Sequence, residues 1–349
     1  MQGTLILEDG TKIEGLSFGS NHSKAGEVVF TTGMVGYPES LTDPSYAGQI
    51  LVMTYPLVGS YGVQSSKTWE SEKIWAAGLI VSSYIDTPSH FASEQSLSEW
   101  LQKEKIPALE IKDTRFLAKK LRTQGVMRGK IVVDADVAFI DPNKKNLVAE
   151  VSMGGKKSGP IEMGKGKKTV VVVDCGVKNN TIRNFLRRGW KVIRVPWDFD
   201  PFEHNLTFNA LFISNGPGDP KTVTPTVRTV KKAIENKVPI FGICLGNQVL
   251  ALAAGGDTYK LKFGHRGQNQ PCLMEESPRC FLTTQNHGYA VGKIPKGFKP
   301  WFTNANDGTN EGIIHTKYPF MSVQFHPESF PGPLDTEWIF DYFLEKVKV

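Results

Sequence analysis

The chain reads as an α/β protein: an N-terminal mixed α+β domain followed by a doubly wound, mostly parallel sheet. Three observations lead there. At 349 residues the chain is too long for one small core and calls for two domains. Its first 143 residues mix short β-rich runs, turns and two helical patterns. From residue 169 short apolar strands alternate with amphipathic helices, the pattern of a parallel sheet covered on both faces.

TLILEDGTKIEGLSFG (4–19) predicts a hairpin turning at Asp9-Gly10. Residues 26–62 alternate β-rich runs with Gly, Pro and Asp turns. SLSEWLQKEKI (96–106) and DTRFLAKKLRTQG (113–125) have helical spacing, the second with Asp113 as N-cap and a glycine stop. Residues 141–168 are richer in Gly, Lys and Pro and mark a linker, placed at 144–168 between domains 1–143 and 169–349.

In the second domain TVVVVD (169–174) is a buried strand and NNTIRNFLRRG (179–189) a helix with its glycine cap. KVIRVPW follows as a strand, and NALFISNGPGDP is a strand ending in a glycine loop. TVRTVKKAIENK is a helix, VPIFGI a strand and NQVLALAAGG a helix. Beyond residue 258 the chain turns β-rich until DTEWIFDYFLEKVKV (335–349), a closing amphipathic helix.

Bulk properties exclude several classes. Apolar residues at 40% and charged residues at 22% suit an ordinary soluble protein. The net charge of +6 is mild, and no basic stripe carries interleaved aromatics, so nucleic acid is not expected as a partner. No apolar run approaches the roughly 20 residues that cross a bilayer. The N-terminus lacks the charged and apolar regions of a signal peptide, so a cytoplasmic place with reduced thiols is expected. Cys175, Cys244, Cys272 and Cys280 form no CxxC pair, and no metal site is expected. GPIEMGKG (159–166) contains G-x-x-x-x-G-K without the Ser or Thr that a P-loop needs for magnesium. The seven tryptophans are scattered and read as packing residues.

FGICLGNQ (241–248) places Cys244 at a sharp strand-to-helix turn between Gly242 and Gly246. Such a cysteine is either a small core residue or a nucleophile on an exposed elbow. Ligands of doubly wound sheets bind at the carboxyl ends of strands, where Cys244 lies. The arrangement parallels the G-x-S-x-G elbow with sulfur in place of oxygen. The positive end of the following helix favours negative charge there. A free thiol is only a few per cent ionised at neutral pH, so a base would help. SVQFHPES (322–329) offers His326, with Glu328 two residues on and projecting to the same side to orient the ring. Alone, H-x-E is equally a surface ion pair. His265 and His287 are expected in hydrogen-bonding roles. In SNGPGDP (214–220), Gly216 and Gly218 expose N–H groups that suit an oxyanion hole, though the same loop is strong turn chemistry in any protein.

GICLGNQ, SNGPGDP, QNHGYAV (285–291) and QFHPES, in that order, resemble the class I glutamine amidotransferases over about residues 169–349. The resemblance implies hydrolysis of the glutamine side-chain amide through a cysteine thioester. Cys244 is then the nucleophile, His326 the acid and base, and Glu328 the orienting carboxylate. Residues 26–62, FGHRGQNQP (263–271) and SFPGP (329–333) resemble the small-chain family of carbamoyl-phosphate synthetases. That resemblance assigns glutamine binding to Ser45, Gly216, Gly218, Leu245, Gln248, Asn286, Gly288 and Tyr289. It gives the front domain a share of the pocket and the contact with a large chain. ATP and magnesium are expected on that large chain, and no cofactor on this one. The product would serve arginine and pyrimidine synthesis, from a heterodimer able to assemble further. Two positions depart from the family: Asn247 stands where histidine is frequent and Tyr289 where phenylalanine is frequent. An amidotransferase serving another synthetase and a catalytically silent subunit remain as alternatives.

Overall fold

In a computed structural model, which describes residues 1–156 and 158–347, the chain divides into Met1–Lys145 and Asn146–Val349. The first unit runs β1 (Gln2–Leu7), β2 (Lys12–Ser17), β3 (Lys24–Thr31), α1 (Tyr37–Thr42), β4 (Gln49–Met53), β5 (Gly78–Val81), α2 (Leu97–Lys103), β6 (Ala108–Glu110), α3 (Thr114–Gln124) and β7 (Met127–Val132). The hairpin at Asp9-Gly10 joins β1 to β2, with Gly10 at φ 88°. Ser96 and Glu99 close a reciprocal cap on α2, and the Asp113 side chain accepts from the Phe116 N–H to start α3. Because β3 to β6 pair in parallel while β1, β2 and β7 pair antiparallel, the sheet closes into a barrel of order β1-β2-β6-β5-β4-β3-β7. Alternate residues separate its two cores. Val28, Ile50, Val52 and Ile80 gather with Leu5, Leu7 and α3, while Val29, Leu51, Leu79 and Val81 meet Leu41, Leu97, Trp100 and Leu101.

The second unit continues with α4 (Leu147–Val151), β8 (Ile161–Met163), β9 (Thr169–Asp174), α5 (Asn179–Arg187), β10 (Lys191–Pro196), β11 (Ala210–Ile213), α6 (Thr224–Glu235), β12 (Ile240–Ile243) and α7 (Leu245–Ala253). It ends with β13 (Asp257–Met274), β14 (Cys280–Lys293), β15 (Phe298–Asn304), β16 (Asn310–His315), β17 (Phe320–Val323) and α8 (Trp338–Lys346). The last two residues of the expected closing helix lie outside the described residues. All strands join one sheet, β14-β13-β15-β16-β17-β12-β11-β9-β10-β8, whose centre, β17-β12-β11-β9-β10, is parallel. The run Val170–Val173 is apolar throughout because both faces are covered. Val170, Val172, Phe212 and Phe241 pack on Phe185, Phe340 and Phe343; Val171, Val173, Leu211 and Ile213 pack on Val230, Val249 and Leu250.

The stretch 144–168, expected as a linker, differs. From Asn146 it belongs to the second unit, supplying α4 and the edge strand β8, which pairs antiparallel with β10. Two of the glycines that suggested a linker, Gly164 and Gly166, serve close packing instead. A Cβ on Gly166 would lie 2.1 Å from the Gly189 carbonyl oxygen. Among the described residues no helix is long and apolar enough to cross a membrane.

Candidate active site

Strands β12 and β17 are parallel neighbours with Ile243 opposite Val323, so the residues that follow them emerge together at the carboxyl edge of the sheet. Cys244 comes directly after Ile243, and its N–H donates to the Val323 carbonyl at 2.9 Å. Its backbone sits at φ 55°, ψ −104°, a conformation that L residues adopt only under constraint. The constraint is visible in its neighbours. A Cβ on Gly242 would lie 2.5 Å from the Gly246 carbonyl oxygen, and one on Gly246 2.2 Å from that of Ile213. Only glycine lets strand, turn and helix approach this closely, so the elbow is specified by G-x-C-x-G. The thiol, on a residue 2% exposed, donates to the Asn286 carbonyl at 3.7 Å. Leu245 opens α7, where the first N–H groups have no intrahelical acceptor and point their positive end at the sulfur.

His326 lies three residues beyond β17, its N–H bonded to the Thr284 carbonyl at 2.9 Å. Its Nδ1 pairs with Glu328 Oε1 at 2.6 Å, and both residues are buried. Among the described residues Nε2 pairs with no nitrogen or oxygen, the Cys244 sulfur is the group near the ring, and Nε2 is the nitrogen left for chemistry. Burial opposes charge on this ring, yet the Glu328 carboxylate, aided by the nearby Cys244 sulfur, pushes the imidazolium up to about 10. Burial likewise opposes charge on Glu328, and His326 and then Lys178 hold its carboxyl below the ordinary value.

Sequence reasoning missed Lys178. It follows the end of β9 and lies 3.4 Å from Glu328 Oε1, with its Nζ also donating to the Ser329 carbonyl. The signal available was positional: a lysine just past the carboxyl end of a buried parallel strand. Asn180, also unflagged, donates to the Glu328 carbonyl at 2.5 Å.

Glu328 therefore neutralises two buried cations. Glu328→Gln is expected to lower unfolding stability by about 3–5 kcal/mol, the effect of breaking a buried pair. The sign with pH is set by the lowered pKa. Stability from Glu328 is present above its ordinary 4.5 and is lost as pH falls through the folded value, so the gap in denaturant midpoint should narrow in acid. Activity should fall roughly 10–100-fold, less than the ~10⁴ seen when a serine triad loses its carboxylate, because a thiol needs less activation.

The structure gathers most of the expected pocket residues in this unit. Gly216 approaches the Cys175 carbonyl and Leu245 so closely that a Cβ would meet them at 2.2 and 3.0 Å. Gly218 takes φ +84° in the same loop. Gln248 donates to the Tyr289 carbonyl at 2.8 Å and to Gln324 Oε1 at 3.1 Å. Asn286, Gly288 and Tyr289 lie on β14, with the Asn286 carbonyl over the thiol. Asn247, the departure from histidine, is fully buried between Gln324 and Ser322, at 3.2 and 2.8 Å. Ser45 belongs to the first unit, where its N–H donates to Asp43 Oδ1 at 2.9 Å in a buried turn.

A thiol on a strained elbow, a buried histidine–carboxylate pair and a helix N-terminus, set on a doubly wound sheet, are the arrangement of a cysteine nucleophile with its acid–base partner. The chain belongs to the class-I glutamine amidotransferases: the family described as Glutamine amidotransferase class-I matches residues 171–346, half the chain. Ahead of it, residues 5–131 match the Carbamoyl-phosphate synthase small chain, CPSase domain. The chain is 50% identical to the multifunctional protein CAD of Squalus acanthias over 98% of its own length and 16% of that protein. It is 48% identical to the mitochondrial carbamoyl-phosphate synthase [ammonia] of Mus musculus over 99% of its own length and 24% of that protein. It thus spans a quarter or less of either relative.

Proposed function

We propose that the chain is the glutamine-hydrolysing part of a carbamoyl-phosphate synthetase. The observation that carries this is the intact elbow thiol together with a buried, hydrogen-bonded histidine–glutamate pair, joined in one chain to the small-chain front domain. With its proton passed to His326 Nε2, Cys244 Sγ attacks the side-chain amide carbon of glutamine. The oxyanion rests on the Leu245 N–H, with the Gly216 loop beside it. His326 gives its Nε2 proton to the departing nitrogen as the C–N bond breaks, which releases ammonia and leaves a thioester. The neutral ring then takes a proton from water as the hydroxide adds to the thioester, and collapse expels the sulfur as thiolate beside the protonated ring and frees the γ-carboxyl group, which ionises to give glutamate.

Ammonia released to bulk water would be protonated and lose its nucleophilic pair. A sheltered passage to a synthetase is the chemical reason for the association. That synthetase, on a large chain, would hold ATP and magnesium and join the ammonia with bicarbonate; the assembly would be cytoplasmic and serve pyrimidine and arginine synthesis. The mouse relative's name denotes use of ammonia, which keeps the silent-subunit reading in view. Cys244, His326 and Glu328 favour catalysis over it.

The test is glutamate release from glutamine by the purified chain, with and without a matching synthetase. Release that rises with the synthetase supports the coupling. Release indifferent to a synthetase shown to bind would point to a free-standing glutaminase. No release in either arm would support the silent subunit.

A further inference from the structure

The mechanism leaves a cluster of buried polar groups behind the pocket strand unused. His265, on β13, is 7% exposed and holds a carboxylate at each nitrogen: Asp307 at 2.9 Å on Nε2 and Glu311 at 3.2 Å on Nδ1. The two acids raise the pKa of the ring against its burial. Glu311, on β16, is fully buried and also accepts from Asn304 at 3.0 Å. The Gln285 amide lies 3.0 Å from His265 Nδ1 and 3.1 Å from His287 Nε2, so it bridges the two rings. The other nitrogen of His287 meets the Tyr289 carbonyl at 2.9 Å. That carbonyl is the one that anchors Gln248.

These contacts form one continuous path from the half-exposed Asp307 to the wall of the pocket. Gln285 and His287 flank Asn286, whose carbonyl overlies the thiol, and His287 is tied to the backbone of Tyr289. We propose that Asp307, His265 and Glu311 are positioning residues for glutamine binding: as a hydrogen-bonded clamp they fix Gln285 and His287, and through them the 286–289 stretch of β14. This rests on the glutaminase reading above. None of the three need touch substrate. Their effect passes through the height and orientation of a strand whose backbone lines the pocket.

The same side chains could instead hold a cation, since the ligand atoms of His265, His287 and Glu311 lie within 4.8 Å of one another. The bridging amide, at hydrogen-bond distance from both rings, favours the hydrogen-bonded clamp.

The experiment is steady-state glutamine hydrolysis by the full chain with its synthetase, in wild type, Glu311→Ala and Glu311→Gln. Glu311→Ala should raise KM for glutamine roughly tenfold, the cost of one badly seated hydrogen bond, with kcat within about twofold. Glu311→Gln, which keeps an acceptor for His265 and Asn304, should recover most of that loss. Alkylation of Cys244 by iodoacetamide should proceed equally in all three. A merely structural role would lower the folded fraction and kcat and leave KM alone, which would overturn the proposal. So would an unchanged KM, or one equivalent of zinc in the purified wild type. If Glu311→Ala does not fold, Asp307→Ala at the half-exposed end should show the same split at smaller size. Wild-type activity tests the glutaminase reading by itself, because the clamp is judged only by variants relative to it.

Discussion

Cys244→Ser should abolish glutamate release, by roughly 10³-fold or more, while leaving the fold and the partner contact in place. The reasons are separable. The substitution exchanges one atom on a residue 2% exposed, and the Asn286 carbonyl that accepts from the thiol also accepts from a hydroxyl. The positive φ at 244 is imposed by β12, α7 and the two glycines rather than by sulfur, so the elbow persists. What is lost is nucleophilicity. A hydroxyl is far less acidic than a thiol, and His326 is tuned to hold a proton rather than to strip one from an alcohol. Acid quench during turnover should trap a glutamyl adduct on Cys244 in wild type and none in the variant. Release that survives the substitution would remove Cys244 as nucleophile.

That prediction rests on a part of the molecule legible in the sequence. Strand–helix alternation from residue 169 locates the carboxyl edge of a parallel sheet, and G-I-C-L-G and Q-F-H-P-E-S both fall at strand ends on that edge. The structure adds the reason they meet: β12 and β17 are adjacent, although α7 and the antiparallel strands β13 to β16 lie between them in sequence. Which distant strands become neighbours is decided by the topology of the whole sheet, which local pattern does not encode. Closure of the front barrel escapes for the same reason, since short β-rich runs look alike whether or not the first strand finds the last. Lys178 escapes because its role depends on Glu328, 150 positions later. Residues 144–168 mislead through composition, because Gly164 and Gly166, demanded by close packing, resemble glycines of a free linker. His265, Glu311 and Asp307 are individually ordinary, and only the folded β13, β14 and β16 make them one cluster.

His326→Asn should be nearly as damaging as loss of the thiol, and its pH signature should run opposite to that of Glu328→Gln. The asparagine amide can replace Nδ1 as donor to Glu328 but offers nothing in place of Nε2, which pairs with no nitrogen or oxygen among the described residues. Without it no proton reaches the departing nitrogen and no base meets the incoming water, so kcat should fall by roughly 10³-fold, within the range for general acid–base catalysis. Stability changes separately. The imidazolium is raised from 6.5 to about 10, so its contribution is full below 6.5 and is lost as pH rises through the folded value. The stability gap between wild type and His326→Asn should be widest near pH 6 and close toward pH 10, whereas that of Glu328→Gln closes in acid. Denaturant midpoints from strongly acidic pH up to about pH 10 for both variants would check the pair together. Parallel pH curves would mean that the two groups are not coupled as the 2.6 Å contact implies.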